Sequence, residues 1–425
     1  MHDVVGWRCA VCGTRVELTE PTPWRCPNST LSDRHHLLQA ISTPVGIGDA
    51  TTRSSNPFIR HDRRLAWAAA AAARGMTDAA RAALVSELDH AIRAVDGVGF
   101  VVTPFERSDV LSDELGFGPD GGVWVKDETG GVGGSQKARH LFSILLHLSA
   151  LELLGELVER PPLAIASCGN AALAAATLAR AAEWPIDVYV PTWMSDGFGD
   201  RLDALHAKVH RCERRSDDPP GDPAMLRFRE AVATGAVPFT VQGPENALCL
   251  DGGRTIGWEM AERIAGPGGP QSLDAVFVQV GGGAFASCLG AGLVEMGQRP
   301  PLMAVQAEGC APLDQAWQRG ATAADDWATV MEPWPDPSSL ADGILDDETY
   351  DWIGVLDAIR STGGDTVVAS EQNIERAHPL AHRAGFDASP TGTAGLAGLL
   401  QALDAGTPHV VDAQRVGVVI SGVTR

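Results

Sequence analysis

Two kinds of hydrophobic pattern divide the chain. Up to about residue 120, apolar positions recur at helical spacing or scatter among polar ones, and Arg64 to Gly75 and Thr77 to Asp96 read as helices, the second closed by Asp96-Gly97. The polar stretch Ser42 to Arg60, with its Pro, Gly and Ser residues, reads as irregular. Beyond residue 121, short and nearly unbroken apolar runs alternate with longer helical segments. Val123 to Val125, Leu163 to Ala166, Ile186 to Val190, Ala275 to Val280 and Leu302 to Val305 read as strands. Helices are expected over Ser135 to Leu154, after Asn170 as far as Ala182, and from Ala284 to about Met296. Strands apolar on both faces belong to parallel sheets covered by helices on each side. The expected fold class is therefore α/β, with two lobes built on open, mostly parallel sheets. Pro219 to Pro223 read as an exposed loop, and the acidic, proline-containing stretch Glu332 to Asp347 as surface.

Composition narrows the function. With 33 Lys+Arg against 54 Asp+Glu the formal charge is −21, so a polyanion would be repelled and no nucleic-acid partner is expected. A hydrophobic content of 44% with 20% charged residues suits a large core, divided at this length into two or three domains. The longest apolar run, Leu65 to Ala73, falls far short of the ~20 residues of a membrane helix, and no basic, apolar, then small-residue leader opens the chain. A cytoplasmic protein with no membrane partner is expected. Its eight cysteines are too scattered for a disulfide framework and read as reduced thiols, the first three set apart. Cys9-Ala-Val-Cys12 and Cys26-Pro-Asn-Ser29 resemble paired zinc knuckles with a serine in place of the fourth thiolate. Two readings stay open: a zinc ion on Cys9, Cys12 and Cys26 with His35 or His36 as fourth ligand, or a small hairpin without metal.

Four segments carry candidate chemistry. Only three lysines, Lys126, Lys137 and Lys208, stand beside thirty arginines, so chemistry that needs a primary amine has three candidates. Lys137, in Gly133-Gly134-Ser135-Gln136-Lys137, opens a helix after a glycine loop; the positive helix end disfavours its ammonium and favours the free amine. Lys126 adjoins Asp127-Glu128, which favour its ammonium, and Lys208 lies on a helix-to-strand connection. Gly281-Gly282-Gly283-Ala284, between strand and helix, offers bare main-chain N–H groups to a phosphate, or is simply a tight turn. It fits neither the dinucleotide G-x-G-x-x-G nor a Walker loop. Ser167-Cys168-Gly169-Asn170, at another strand-to-helix junction, could hold a carboxylate, with Asn170 otherwise only a helix cap. Cys168 as a nucleophile lacks a histidine near it in sequence. The fourth segment is the strand Val416 to Ile420, ending in Ser421-Gly422.

In this order the four segments resemble the tryptophan synthase β-like superfamily of pyridoxal-phosphate enzymes (fold type II), nearest threonine synthases and threonine or serine dehydratases. The resemblance covers about residues 100 to 425, with weaker echoes at Gly252 to Met260, Ala341-Asp342-Gly343-Ile344 and Ser389 to Ala394. It implies that Lys137 carries pyridoxal 5′-phosphate as an aldimine. It implies further that Gly281, Gly282, Gly283 and Ala284 hold the phosphate, that Asn170 touches the cofactor's 3′-oxygen, that Ser421 faces the pyridine nitrogen, and that Ser167, Cys168, Gly169 and Asn170 bind the substrate carboxylate. Three parts are expected: a ribbon-like segment 1–30, a larger phosphate-binding lobe of 31–160 with 245–425, and a smaller substrate-carboxylate lobe of 161–244. A serine at the pyridine nitrogen makes the ring a weaker electron sink, which favours elimination. The implied activity is a lyase acting on a small hydroxyamino acid of the threonine or serine kind. The alternative is a threonine synthase-like enzyme that eliminates phosphate with replacement, favoured by the Cys-x-x-Cys start but not by Ala138-Arg139 after the lysine. A non-catalytic cofactor-binding protein and a nucleotide-binding dehydrogenase are the readings from other classes. No C-terminal regulatory domain is expected. A homodimer is a further expectation, the alanine-rich segment Leu65 to Ala73 serving either an interface or the core.

Overall fold

The computed structural model describes residues 2–30, 32–43, 54–407, 410 and 412–424. Ten residues of the stretch read as irregular, 44–53, lie outside these. The strands in chain order are β1 (Val4–Cys9), β2 (Arg15–Val16), β3 (Leu38–Ser42), β4 (Phe105–Ser108), β5 (Gly122–Asp127), β6 (Leu163–Ala166) and β7 (Ile186–Pro191). They continue as β8 (Lys208–Cys212), β9 (Val237–Pro238), β10 (Ala275–Gln279), β11 (Leu302–Ala307), β12 (Asp365–Ala369) and β13 (Arg415–Ile420). They form an antiparallel N-terminal sheet, β2-β1-β3, and two larger sheets. The six-stranded order is β12-β11-β10-β13-β5-β4, parallel except for β4. The four-stranded order, β8-β7-β6-β9, is parallel throughout. The α/β class with mostly parallel sheets is as expected from the sequence. In the two larger sheets the strands it did not reveal, β4, β8, β9 and β12, are all sheet edges; β8 (Lys-Val-His-Arg-Cys) and β12 expose their first residue and bury only their last.

Helix Asp78–Asp96 is capped by Thr77 and stops at Gly97 as its sequence indicates. Helix Ala66–Ala73 is shorter than its pattern suggested and carries no cap from its own sequence. Asp251 supplies one from a distance, accepting from the Ala66 and Trp67 N–H groups at 2.8 and 3.1 Å. Its residues 66–71 are buried inside the protomer, so core packing accounts for the alanines. No helix among the described residues is long and apolar enough to cross a membrane.

The centre of the molecule is a stack of three helices, Lys137–Leu153, Leu248–Ala265 and Ala284–Glu295. The middle one presents glycines to both neighbours. A β-carbon on Gly252 would sit 1.9 Å from the Arg139 carbonyl oxygen, one on Gly253 2.3 Å from His140 Cε1, and one on Gly257 2.5 Å from the Leu289 carbonyl oxygen. The motif Gly252 to Met260 is thus a packing ridge that fixes the height at which the outer two helices begin. Beneath Lys137 lies a buried ion network. Arg139 donates to Glu128 at 3.0 Å and to Glu259 at 2.6 Å, while Lys126 Nζ donates to Glu259 at 2.5 Å and to the Thr103 carbonyl at 2.9 Å.

Gly252→Ala has no room to relax, because the neighbouring atom is main chain. It is expected to lower unfolding free energy by about 1–3 kcal/mol, read as a reduced denaturant midpoint at unchanged slope.

Candidate active site

Lys137 is the first residue of its helix and is half-buried. Burial lowers its pKa from the ordinary value, against the opposing pull of Asp346, Cys249 and Asp351, and the helix N-terminus acts in the same direction as burial. The other two lysines are unsuited to amine chemistry in a cavity: Lys126 is fully buried on Glu259, and the Lys208 side chain is 75% exposed beside Asp187. The glycine loop before Lys137 is tied to the C-terminus, since Val423 N–H donates to the Gly134 carbonyl at 3.1 Å.

Gly281-Gly282-Gly283 follows β10 and leads into helix Ala284–Glu295. Gly283 has φ +94°, which other residues adopt only with strain. The loop is walled by a segment 60 to 70 residues further on. A β-carbon on Gly281 would lie 2.5 Å from Asp346 Oδ2, and one on Gly283 2.9 Å from Thr349 Cγ2. The Asp346 carboxyl stands against the loop, where the Gly282 N–H draws its pKa down in opposition to burial, and the Gly282 carbonyl accepts from Asp351 N–H at 2.8 Å. This corrects the expectation that Glu332 to Asp347 is surface. Its first part is mostly exposed, but residues 344–347 turn inward, Ile344 and the Asp346 carboxyl packing against Gly281. Burial pushes the Asp346 carboxyl up from its ordinary range, Asp347 to about 6 and Asp351 to about 8. Asp351 is fully buried between two chain segments, accepting from Gly243 N–H at 3.1 Å.

Ser167 to Asn170 joins β6 to helix Asn170–Ala181. Ser167 N–H donates to the Tyr189 carbonyl at 3.1 Å, and Ser167 Oγ accepts from Gly169 N–H at 3.3 Å. Gly169, not Asn170, occupies the cap position. Asn170 instead directs Nδ2 to within 3.0 Å of where a Gly422 β-carbon would stand. The Cys168 thiol is pushed up to about 11, first by burial and then by Asp222, Asp342 and Asp346, so it is protonated at neutral pH and a poor nucleophile.

Ser421, buried at the end of β13, accepts from Gln136 N–H at 3.1 Å and donates to Gln136 Oε1. Its own N–H donates to the Gly392 carbonyl, and Ser389 N–H to the Gly422 carbonyl. Thr391 Oγ1 accepts from Gly343 N–H at 2.9 Å, so the two short echoes in the sequence hold each other and the end of β13. All four candidate segments therefore meet: Asp346 packs against the glycine loop and acts electrostatically on both Lys137 and Cys168, while Ser421 grips the residue before Lys137 and Asn170 faces Gly422. Sequence reasoning missed Asp346, Asp351 and the pairing of Ser421 with Gln136.

The family described as pyridoxal-phosphate dependent enzyme matches residues 98–422, and this stretch contains every segment of the site. The chain belongs to this family. Among curated proteins, threonine synthase of Methanocaldococcus jannaschii is 27% identical over 168 residues, which span 38% of this chain and 39% of that protein. Among solved structures, a T.th. threonine deaminase has a TM-score of 0.61 at 22% identity, covering 80% of this chain and 98% of that one. Maize serine racemase has a TM-score of 0.61 at 18% identity, covering 80% and 93%. Diaminopropionate ammonia lyase of Escherichia coli has 0.62 at 16%, covering 80% and 88%. These similarities establish the fold type II architecture of the family.

The residues present fit the family's cofactor. The glycine loop has main-chain N–H groups at a helix N-terminus and no space for side chains, the cradle that a phosphate needs. Lys137 offers a partly buried amine beside this loop's acids, and Asn170 and Ser421 offer polar groups near the end of β13.

The raised pKa of Asp351 predicts a pH dependence of stability. Its ordinary value is 3.8 and its folded value about 8, so the stabilisation it gives is fully present below 3.8 and is lost as pH rises through 8. Asp351→Asn should therefore gain in melting temperature relative to the unsubstituted protein as pH is raised from 4 to 9, measured by thermal unfolding across that range.

Proposed function

We propose that the protein is a pyridoxal-phosphate-dependent lyase of the cytoplasm that eliminates a β-substituent, such as water, from a small L-hydroxyamino acid of the threonine or serine kind, releasing a 2-oxo acid and ammonia. The observation that carries this reading is Lys137, whose amine is held toward its neutral form by burial at the start of its helix, with Asp346, which stands against Gly281, acting on both Lys137 and Cys168. When bound through its aldehyde to that amine, the cofactor supplies an electron sink for negative charge at the substrate's Cα. Gly281, Gly282, Gly283 and Ala284 would hold its phosphate, Asn170 its ring oxygen and Ser421 its ring nitrogen. On this reading the six-stranded sheet carries the cofactor and the four-stranded sheet carries the loop for the substrate.

The remaining chemistry belongs to the chain. The N–H groups of Ser167, Cys168, Gly169 and Asn170 bind the substrate carboxylate at a helix N-terminus and so orient the Cα–H bond. The Lys137 amine, once free, takes the Cα proton as general base and can return a proton to the departing hydroxyl. Ser421 offers a hydroxyl where a carboxylate would hold a proton on the ring, which favours loss of the β-group over prolonged carbanion lifetime. Its proton here goes to Gln136 Oε1 and would turn from it to meet the ring nitrogen.

A second reading, a threonine synthase-like enzyme that eliminates phosphate with replacement, is favoured by the match to the Methanocaldococcus jannaschii protein. Against it stands the charge of the site: Asp222, Asp342 and Asp346 all act on Cys168 and would oppose a second phosphate.

Purified protein is expected to absorb in the visible with cofactor bound, and borohydride should fix the cofactor to the peptide containing Lys137. Lys137→Ala should lose about 10²–10⁴-fold or more in turnover. Threonine or serine should yield a 2-oxo acid; release of inorganic phosphate from O-phosphohomoserine would instead establish the second reading, and adduct on Lys126 or Lys208 would overturn both. The Asp346 carboxyl ionises as pH rises and then repels the phosphate, so cofactor affinity should weaken with pH and Asp346→Asn should flatten that dependence, measured by equilibrium titration of cofactor.

A further inference from the structure

The N-terminal sheet brings together four side chains that no cofactor chemistry uses. Cys9 at the end of β1, Cys12 in the following turn, Cys26 and His36 place their ligand atoms within 4.8 Å of one another. Cys9 Sγ lies 3.4 Å from His36 Nδ1, and Cys12 Sγ lies 3.5 Å from Cys26 Sγ. A tetrahedral zinc with bonds of ~2.0–2.3 Å sets its ligand atoms about 3.4–3.8 Å apart. These two distances match edges of a ligand tetrahedron rather than a disulfide, whose sulfurs lie about 2.05 Å apart.

The surroundings match. His36 turns Nδ1 to the sulfurs and Nε2 to Asp33 Oδ2 at 3.1 Å, the carboxylate contact that fixes the tautomer of a metal-bound imidazole. Asn28 Nδ2 donates to Cys12 Sγ at 3.4 Å, a contact that suits a sulfur ligand. Ser29, in the position of the missing fourth thiolate, bonds instead to the Asp33 carbonyl. His35 is excluded as a ligand: its Nδ1 accepts from Trp352 Nε1 at 3.0 Å and its ring stacks on Trp327.

We propose that Cys9, Cys12, Cys26 and His36 bind one structural zinc ion, and that this ion braces the wall of the glycine loop. The brace runs through the two residues that precede His36. Arg34 donates to both carboxylate oxygens of Glu348 at 2.7 and 2.6 Å, and His35 bonds to Trp352. Between Glu348 and Trp352 lie Thr349, against which Gly283 is packed, and Asp351, whose N–H holds the Gly282 carbonyl. The metal half of the proposal is independent of the reaction assigned above.

Metal analysis of the holoenzyme purified under reducing conditions, and again after exposure to zinc, tests it. One zinc per chain is expected, retained in His35→Ala and lost in His36→Ala and Cys9→Ser; cobalt exchanged into the site should show the visible bands of tetrahedral thiolate coordination. Absence of metal in the zinc-treated, reduced protein, or its loss from His35→Ala with retention in His36→Ala, overturns the site. Should the variants fail to fold, chelation of the unsubstituted protein gives the same readout. Hydrogen exchange on the chelated protein should accelerate at residues 345–354 and remain unchanged in β6 and β7; unchanged exchange at 345–354 overturns the brace.

Discussion

The site depends on one packing constraint, the close approach of helix Lys137–Leu153 to helix Leu248–Ala265 across Gly252 and Gly253. Main chain touches side chain and main chain there with no layer of side chains between, so the level of Lys137 relative to the glycine loop is set by backbone contact and not by deformable packing. The ion network of Arg139, Glu128, Glu259 and Lys126 lies directly under this contact. Two cations and two anions are balanced within it, and removal of any one leaves an uncompensated buried charge, the costly case. A rigid floor of this kind lets one half-buried amine be held near acids without collapsing into an ion pair with them.

Much of the architecture was legible because buried parallel strands leave a strong mark. Val123 to Val125, Ala275 to Val280 and Leu302 to Val305 are apolar with almost no interruption, and each lies in a strand of the six-stranded sheet or runs one residue past it. Edge strands left little trace, since β8 and β12 alternate weakly and carry charge. The candidate segments were legible as strand-to-helix junctions rich in glycine. What links them was not. Gln136 and Ser421 are separated by 285 positions, and no local pattern announces such a pair. Asp346 was hidden by composition, because a run containing Asp342, Asp346, Asp347 and Glu348 reads as solvated until Asp346 is seen packed against Gly281. The choice between His35 and His36 is likewise one of rotamer and neighbour: adjacent residues on an extended segment point to opposite sides, one to Trp352 and the other to the thiols.

The acids near Lys137 give this member of the family a particular electrostatic character. Asp346 and Asp351 oppose the effect of burial on the amine, while their own pKa values are raised by the same burial. The three groups therefore adjust to one another, and the protonation state of the site belongs to the group of residues and not to the lysine alone.

The scarcity of lysine has a practical side. Among the three side-chain amines, Lys126 is sealed in the core, Lys137 stands at the base of the candidate site, and Lys208 alone projects freely, from an edge strand of the four-stranded sheet. A surface or dye coupled through amide chemistry would thus take hold of the folded protein's side chains at one place, on the rim away from the main cradle, and every immobilised molecule would present the same face to solution.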